Sequence, residues 1–138
     1  MRTRTPPRED TESPLEPPII IVGDGEVVFY RSTSRVAADV EAVDAELFKG
    51  YDSKGRPVRI SGEFKQGKWW FGLGWVSDGP VTVEAISDHP THAEELRLAL
   101  RDWWTRTGGA ANTKAAASRE DATLEELIIA IAARDGIN

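Results

Sequence analysis

The stretch Asp88-His89-Pro90-Thr91-His92 holds both histidines of the chain, with Glu94 and Glu95 close behind. Imidazole and carboxylate groups are the ligands that zinc and other divalent cations take from a protein. Helical histidines ligate together at i, i+4, where both rings share a face. His89 stands ahead of Pro90, outside any regular helix, so that geometry does not arise, and no metal or other cofactor is expected. Ser87-Asp88-His89 contains the residue types of a hydrolytic triad. Adjacent side chains on a strand or turn point apart, so they cannot assemble nucleophile, base and orienting carboxylate. No Gly-x-Ser-x-Gly, Walker or dinucleotide-binding glycine pattern occurs. The chain has no cysteine, which excludes thiol catalysis, thiolate zinc sites and disulfides. These residues point away from an enzyme.

Residues suited to binding are more plentiful. Lys68-Trp69-Trp70-Phe71-Gly72-Leu73-Gly74-Trp75-Val76 carries three of the five tryptophans. Read as a strand, it places Trp69, Phe71, Leu73 and Trp75 on a core face and Trp70 on the other, beside Gly72 and Gly74. Trp70 with Arg59, Lys65 and Lys68 would make an aromatic platform for a partner protein or a stacked base. The competing reading is structural: Gly72 makes room for an Arg59–Glu84 contact, and Trp70 covers Ile86. Asp39, Glu41, Asp44 and Glu46 form an acidic set without the central glycine and distal glutamate of a calcium loop. It is either a solvated helix face or a surface for a basic partner. Leu127, Ile128 and Ile131 lie on the apolar face of a terminal helix. That helix packs on its own domain, pairs with a second copy, or enters another protein's groove.

The elements that must position these groups follow from periodicity. Ile19-Ile20-Ile21-Val22 is a short buried strand, and Glu26 to Tyr30 returns as its hairpin partner through Gly23-Asp24-Gly25. Ser32 or Thr33 caps a short helix with Val36, Val40 and Val43 on one stripe. Leu47 to Tyr51 is a third strand, and Asp52-Ser53-Lys54-Gly55-Arg56 is a turn. Residues 58–63, 69–75 and 81–86 alternate as a three-stranded meander, with loops at 64–67 and 76–80. Thr91 and Glu94 form a capping box before a helix whose stripe is Leu96, Ala99, Leu100 and Trp103, with Trp104 half-buried beside it. Thr123 and Glu126 form a second box before the terminal helix, which Gly136 ends. The expected fold is α+β: an antiparallel sheet of about six strands, a short helix after the first hairpin, and two C-terminal helices, all on one face. Residues 1–18 are expected as a disordered tail, 19–106 as the domain, 107–122 as a flexible linker and 123–138 as the terminal helix.

Composition bounds the rest. The chain of 138 residues has a net charge of −6, which argues against general nucleic-acid binding. Charge is unevenly spread: six basic residues stand between Lys49 and Lys68 against Asp52 and Glu63. The N-terminus has positive charge without an apolar core behind it, and the longest apolar run is far too short for a bilayer. A soluble cytoplasmic protein without membrane contact is the expectation.

Asp24-Gly25, the helix running into Val40-Glu41-Ala42-Val43-Asp44, and Gly50-Tyr51-Asp52-Ser53-Lys54-Gly55-Arg56 together resemble a pattern in small, largely uncharacterised bacterial proteins. That pattern is a hairpin, a short helix ending near an acidic residue, and a strand closing in a Tyr-Asp-x-x-Gly-Arg turn. Some such proteins look like immunity partners of secreted toxins. The resemblance spans roughly residues 20–60 and implies a non-enzymatic protein binder, without naming site residues. The expected function is protein binding of an immunity or antitoxin-like kind, with the Trp70 face as a nucleic-acid or nucleotide site the alternative. A homodimer through the C-terminal helix is a further expected arrangement.

Overall fold

An apolar run without alternation needs cover on both faces, and Ile19–Gly23 (β1) has it. The computed structural model describes residues 15–40, 45, 47–68, 74–86 and 89–138, with 63–68 and 74–80 as backbone only. In it Ile19, Ile20 and Ile21 are all buried. Glu26–Tyr30 (β2) pairs antiparallel with β1 around a two-residue turn, Gly23 opposite Glu26. Asp24 and Gly25 have φ of 53° and 77°, the double left-handed conformation that so tight a hairpin demands. Lys49–Tyr51 (β3) lies on the other side of β1, with Gly50 opposite Ile21. Pro57–Lys68 (β4) and Gly74–Ala85 (β5) complete an antiparallel sheet of order β2-β1-β3-β4-β5. The chain is α+β, with five strands among the described residues where the sequence pattern suggests about six.

The difference lies beside the tryptophan-rich stretch. Val58 pairs with Ala85, Arg59 with Glu84, Ile60 with Val83 and Gly62 with Val81. The expected loops at 64–67 and 76–80 are strand instead, with Gly67 opposite Trp75 and Lys68 opposite Gly74. Among the described residues the anticipated meander is therefore one long antiparallel pair. Both pairings keep like-facing residues together, so alternation alone cannot choose between them. The ladder is irregular between Gly62 and Phe64, opposite Gly79-Pro80. Proline has no N–H to give a ladder, which suits a bulge. Trp69, Trp70, Phe71, Gly72 and Leu73 lie outside the described residues.

Ser32 caps Thr33–Asp39 (α1), its side chain accepting from the Arg35 N–H at 3.2 Å. Val36 of α1 is buried with Ile19, Ile21, Tyr30 and Ile60. Ala93–Arg106 (α2) and Leu124–Asp135 (α3) pack together on the opposite face, where Ile20, Val27, Phe29 and Tyr51 meet Leu96, Leu100 and Leu127. The helices thus cover both faces, not one as anticipated. Alternation in β1 sends Ile19 and Ile21 one way and Ile20 the other, and each set needs its own cover. The Thr123–Glu126 capping box forms at the start of α3, with bonds of 3.1 and 2.9 Å. Its counterpart at α2 does not. His92 is the N-cap there, and Glu94 binds Arg97 at 2.7 Å instead.

Residues 107–122, anticipated as a flexible linker, hold two short 3₁₀ turns at Gly109–Ala111 and Ala116–Ser118. Ala117 and Ala122 are buried in the core. Trp104 donates its indole N–H to Ser118 Oγ at 3.0 Å, and a Cβ on Gly109 would come within 2.2 Å of the indole ring. Small residues let this segment lie flat on Trp104, which is why Trp104 rather than Trp103 is the buried tryptophan of α2. Trp103 is half-buried and donates to Asp135 at 3.1 Å. At the other end, Leu15 packs on the α1 side of the core, so the domain reaches beyond the expected boundary at residue 19. Residues 1–14 lie outside the described part.

Candidate functional site

Asp52 is the hub from which the most built part of the surface grows. It is fully buried, and buried carboxylates persist only when their oxygens are satisfied. Its Oδ1 accepts from the Lys54 and Arg56 N–H groups, each at 2.9 Å. Its Oδ2 accepts from the Glu16 N–H at 2.9 Å and from Arg56 Nη1 at 3.1 Å. Those bonds close the turn and fasten Glu16 to it. Gly55 has φ of 87°, and a Cβ there would stand 2.3 Å from Ala93 Cα, so the turn backbone presses directly on the start of α2. The Gly55 carbonyl accepts from the His92 N–H at 3.0 Å. The Tyr-Asp-x-x-Gly-Arg turn therefore docks α2 against the sheet.

That docking brings Tyr51, His92 and Glu95 together. The Tyr51 hydroxyl donates to Glu95 Oε2, and its ring lies 6.4 Å from that of His92. Burial, and then the hydrogen bond to Glu95, hold the Tyr51 phenol well above the usual tyrosine range, so it stays a neutral donor. His92 Nδ1 shares a hydrogen bond of 2.9 Å with Thr91 Oγ1.

Next to this wall the sheet is open. Helices α2 and α3 cover β1 to β3 on the Tyr51 face, while Arg59, Thr82, Glu84 and Ile86 on the same face of β4 and β5 are exposed. Arg59 and Glu84 stand directly opposite each other with 4.0 Å between charged groups, a loose surface pair worth about 1 kcal/mol at most. A cavity of about 490 Å³ lies between wall and floor, lined by Phe48, Tyr51, Arg59, Ile86, His92 and Glu95 among others. Among the described residues, no three His, Cys, Asp or Glu side chains gather as a metal site would require. No helix among them is long and apolar enough to cross a membrane.

The expected site residues fare differently. Arg59 faces the cavity. Lys65 and Lys68 follow it on β4, opposite Ser77 and Gly74. Trp70, Glu41, Asp44 and Glu46 lie outside the described residues. Asp39 ends α1 and accepts from the Tyr30 hydroxyl, so it is tied to its own sheet. Leu127, Ile128 and Ile131 are 0%, 8% and 1% exposed, which corrects their expected role as a partner surface. The chain's own sheet and α2 already occupy that helix face. Tyr51, Ile86, His92 and Glu95 were not among the expected site residues. The i, i+3 spacing of His92 and Glu95 is a visible signal, but only the docking of Gly55 on Ala93 turns them toward Tyr51. Comparison with known protein families, curated proteins and solved structures yields no match to this chain.

Proposed function

We propose that the chain is a small non-enzymatic domain that binds another protein, in the manner of an immunity or antitoxin-like partner in a bacterial cytoplasm. The observation that carries the reading is the open β4–β5 face beside the Tyr51–His92–Glu95 wall. It combines a concave floor, an exposed Ile86 and charged groups at the rim, the mixture found in protein interfaces. The Tyr51 proton is committed to Glu95, so this pair shapes the wall rather than serving as acid and base. Arg59 faces Glu84, and Trp70, the stacking platform of the nucleic-acid alternative, lies outside the described residues.

A photo-crosslinking residue at Ser61, on the open floor, tests the proposal against a control at Leu98 on the outer face of α2. In extracts of the source cells, Ser61 should yield one saturable, stoichiometric protein adduct that Leu98 does not. Arg59→Glu should abolish it. Equal yields at both positions, or no adduct at Ser61, would overturn the reading.

A further inference from the structure

We propose that the partner supplies an extended, acidic segment, which adds as a strand to the edge of β4 from Ile60 onward. The proposal rests on the protein-binding reading above and adds the mode and the chemistry of the contact.

β4 runs for twelve residues, yet β3 pairs with it only at Tyr51–Pro57 and Gly50–Val58. Before Gly50 the chain turns away, and the Phe48 N–H bonds to the Ala45 carbonyl instead of to β4. The phase of the remaining edge is set by the Ile86 N–H, which donates to the Pro57 carbonyl at 3.0 Å. In an antiparallel ladder the backbone groups then alternate in direction. Those of Pro57, Arg59 and Ser61 point to β5, and those of Val58, Ile60 and Gly62 point toward β3. Val58 finds Gly50 there, whereas Ile60 and Gly62 find no strand among the described residues.

Ile60, whose side chain is buried with Val36 on the α1 side, also borders the cavity, which places its backbone groups beside a recess instead of on a freely hydrated edge. Strand groups without a partner among the described residues, in such a place, are a template for another chain. Of the two outer strands, β2 and β5, the first is already engaged: on β2, the Asn138 N–H donates to the Phe29 carbonyl and the Arg31 N–H to the Asn138 carbonyl, each at 2.9 Å.

Charge selects the occupant. Lys54 and Arg56 pair with Glu16 and Asp52, which leaves Lys49, Arg59, Lys65 and Lys68 along this edge against Glu63, with Glu84 opposite Arg59 and Glu95 bonded to Tyr51 in the wall. Lys49 and Arg59 are exposed beside the recess. A strand entering it lies along this basic stretch, so acidic side chains at alternate positions are favoured and basic ones repelled.

The test uses the full chain, labelled with ¹⁵N, and a synthetic peptide of about ten residues alternating Val and Glu. Two controls share its length: one with Lys for Glu, the other N-methylated at alternate backbone positions. The Val–Glu peptide should shift the Ile60 and Gly62 amides saturably and slow their hydrogen exchange about tenfold or more. Both controls and Arg59→Glu should lose at least about tenfold in affinity. Equal binding by the N-methylated peptide would show side-chain docking and overturn strand addition. Equal binding by the Lys peptide would overturn the acidic assignment. Absence of shifts, or protection of the same amides by self-association of the free chain, would overturn the proposal as well. If the peptide fails while the Ser61 adduct persists, strand addition falls and protein binding stands; if both fail, both readings fall.

Discussion

Replacing Asp52 with alanine should cost more than any other single polar change in the described part of the chain. The carboxylate is fully buried and accepts four hydrogen bonds, three of them from backbone N–H groups. A hydrogen bond to a charged group contributes roughly 1.5–3 kcal/mol, and the four act as a unit, so they do not simply add. Without Asp52, Arg56 keeps part of its hydration, because its side chain is 22% exposed. A net loss of about 3–5 kcal/mol follows, the range for breaking a buried charged contact. With a urea slope of about 2 kcal/mol/M, the midpoint falls by roughly 2 M. Asp52→Asn should cost less, about 2 kcal/mol. Its amide oxygen still serves the Lys54 and Arg56 N–H groups, whereas its NH₂ faces the Glu16 N–H and the Arg56 guanidinium. A double-mutant cycle with Arg56→Met should give a coupling of about 1 kcal/mol, since only one of the four bonds uses that side chain. Equilibrium urea denaturation followed by tryptophan fluorescence measures all three. A loss below about 1 kcal/mol for Asp52→Ala, or equal losses for Asn and Ala, would refute the account of this turn as a carboxylate-centred hub.

Three further outcomes are expected. Gly55→Ala combines a φ of 87° with a Cβ placed 2.3 Å from the Ala93 backbone, and should cost about 2–4 kcal/mol by urea denaturation. Tyr51 and Tyr30 are held above the usual tyrosine range by burial first, then by Glu95 and Asp39. A raised folded value stabilises below the unfolded value of about 10 and is lost as pH rises past it. Stability should therefore fall above about pH 10, and fall less in Tyr51→Phe, which should cost about 1 kcal/mol at neutral pH. Leu127→Ala should cost about 2–5 kcal/mol, because Leu127 is fully buried, whereas Ile129→Ala at a 62% exposed position should stay within about 0.5 kcal/mol of the parent.

The candidate site was legible only in pieces. Arg59 and Glu84 face each other because strand parity puts them on one face, and parity is written in the alternation of their neighbours. The Asp52 turn is announced by its residue types, but its burial depends on Glu16, thirty-six positions earlier. The site wall is less visible still. His92 and Glu95 look like an ordinary helix start until Gly55 brings that helix against Tyr51. The small residues of 107–122 suggest mobility by composition, yet their size is what lets them lie on the Trp104 indole.

Local chemistry determined the Asp24-Gly25 and Asp52 turns, two of the three helix caps, the parity of the β4–β5 pairs from Val58 to Gly62 and the apolar face of α3. These depend on spacings of a few residues, where side chain and backbone interact directly. Tertiary structure alone decided which strands pair beyond the first hairpin, which face each helix covers and whether a terminal helix meets its own sheet. Those choices set contacts between distant residues, and several arrangements satisfy the same periodicity. The open recess beside β4 belongs to this second class. It exists because β3 stops pairing after Val58, a fact about three strands at once and not about any one of them.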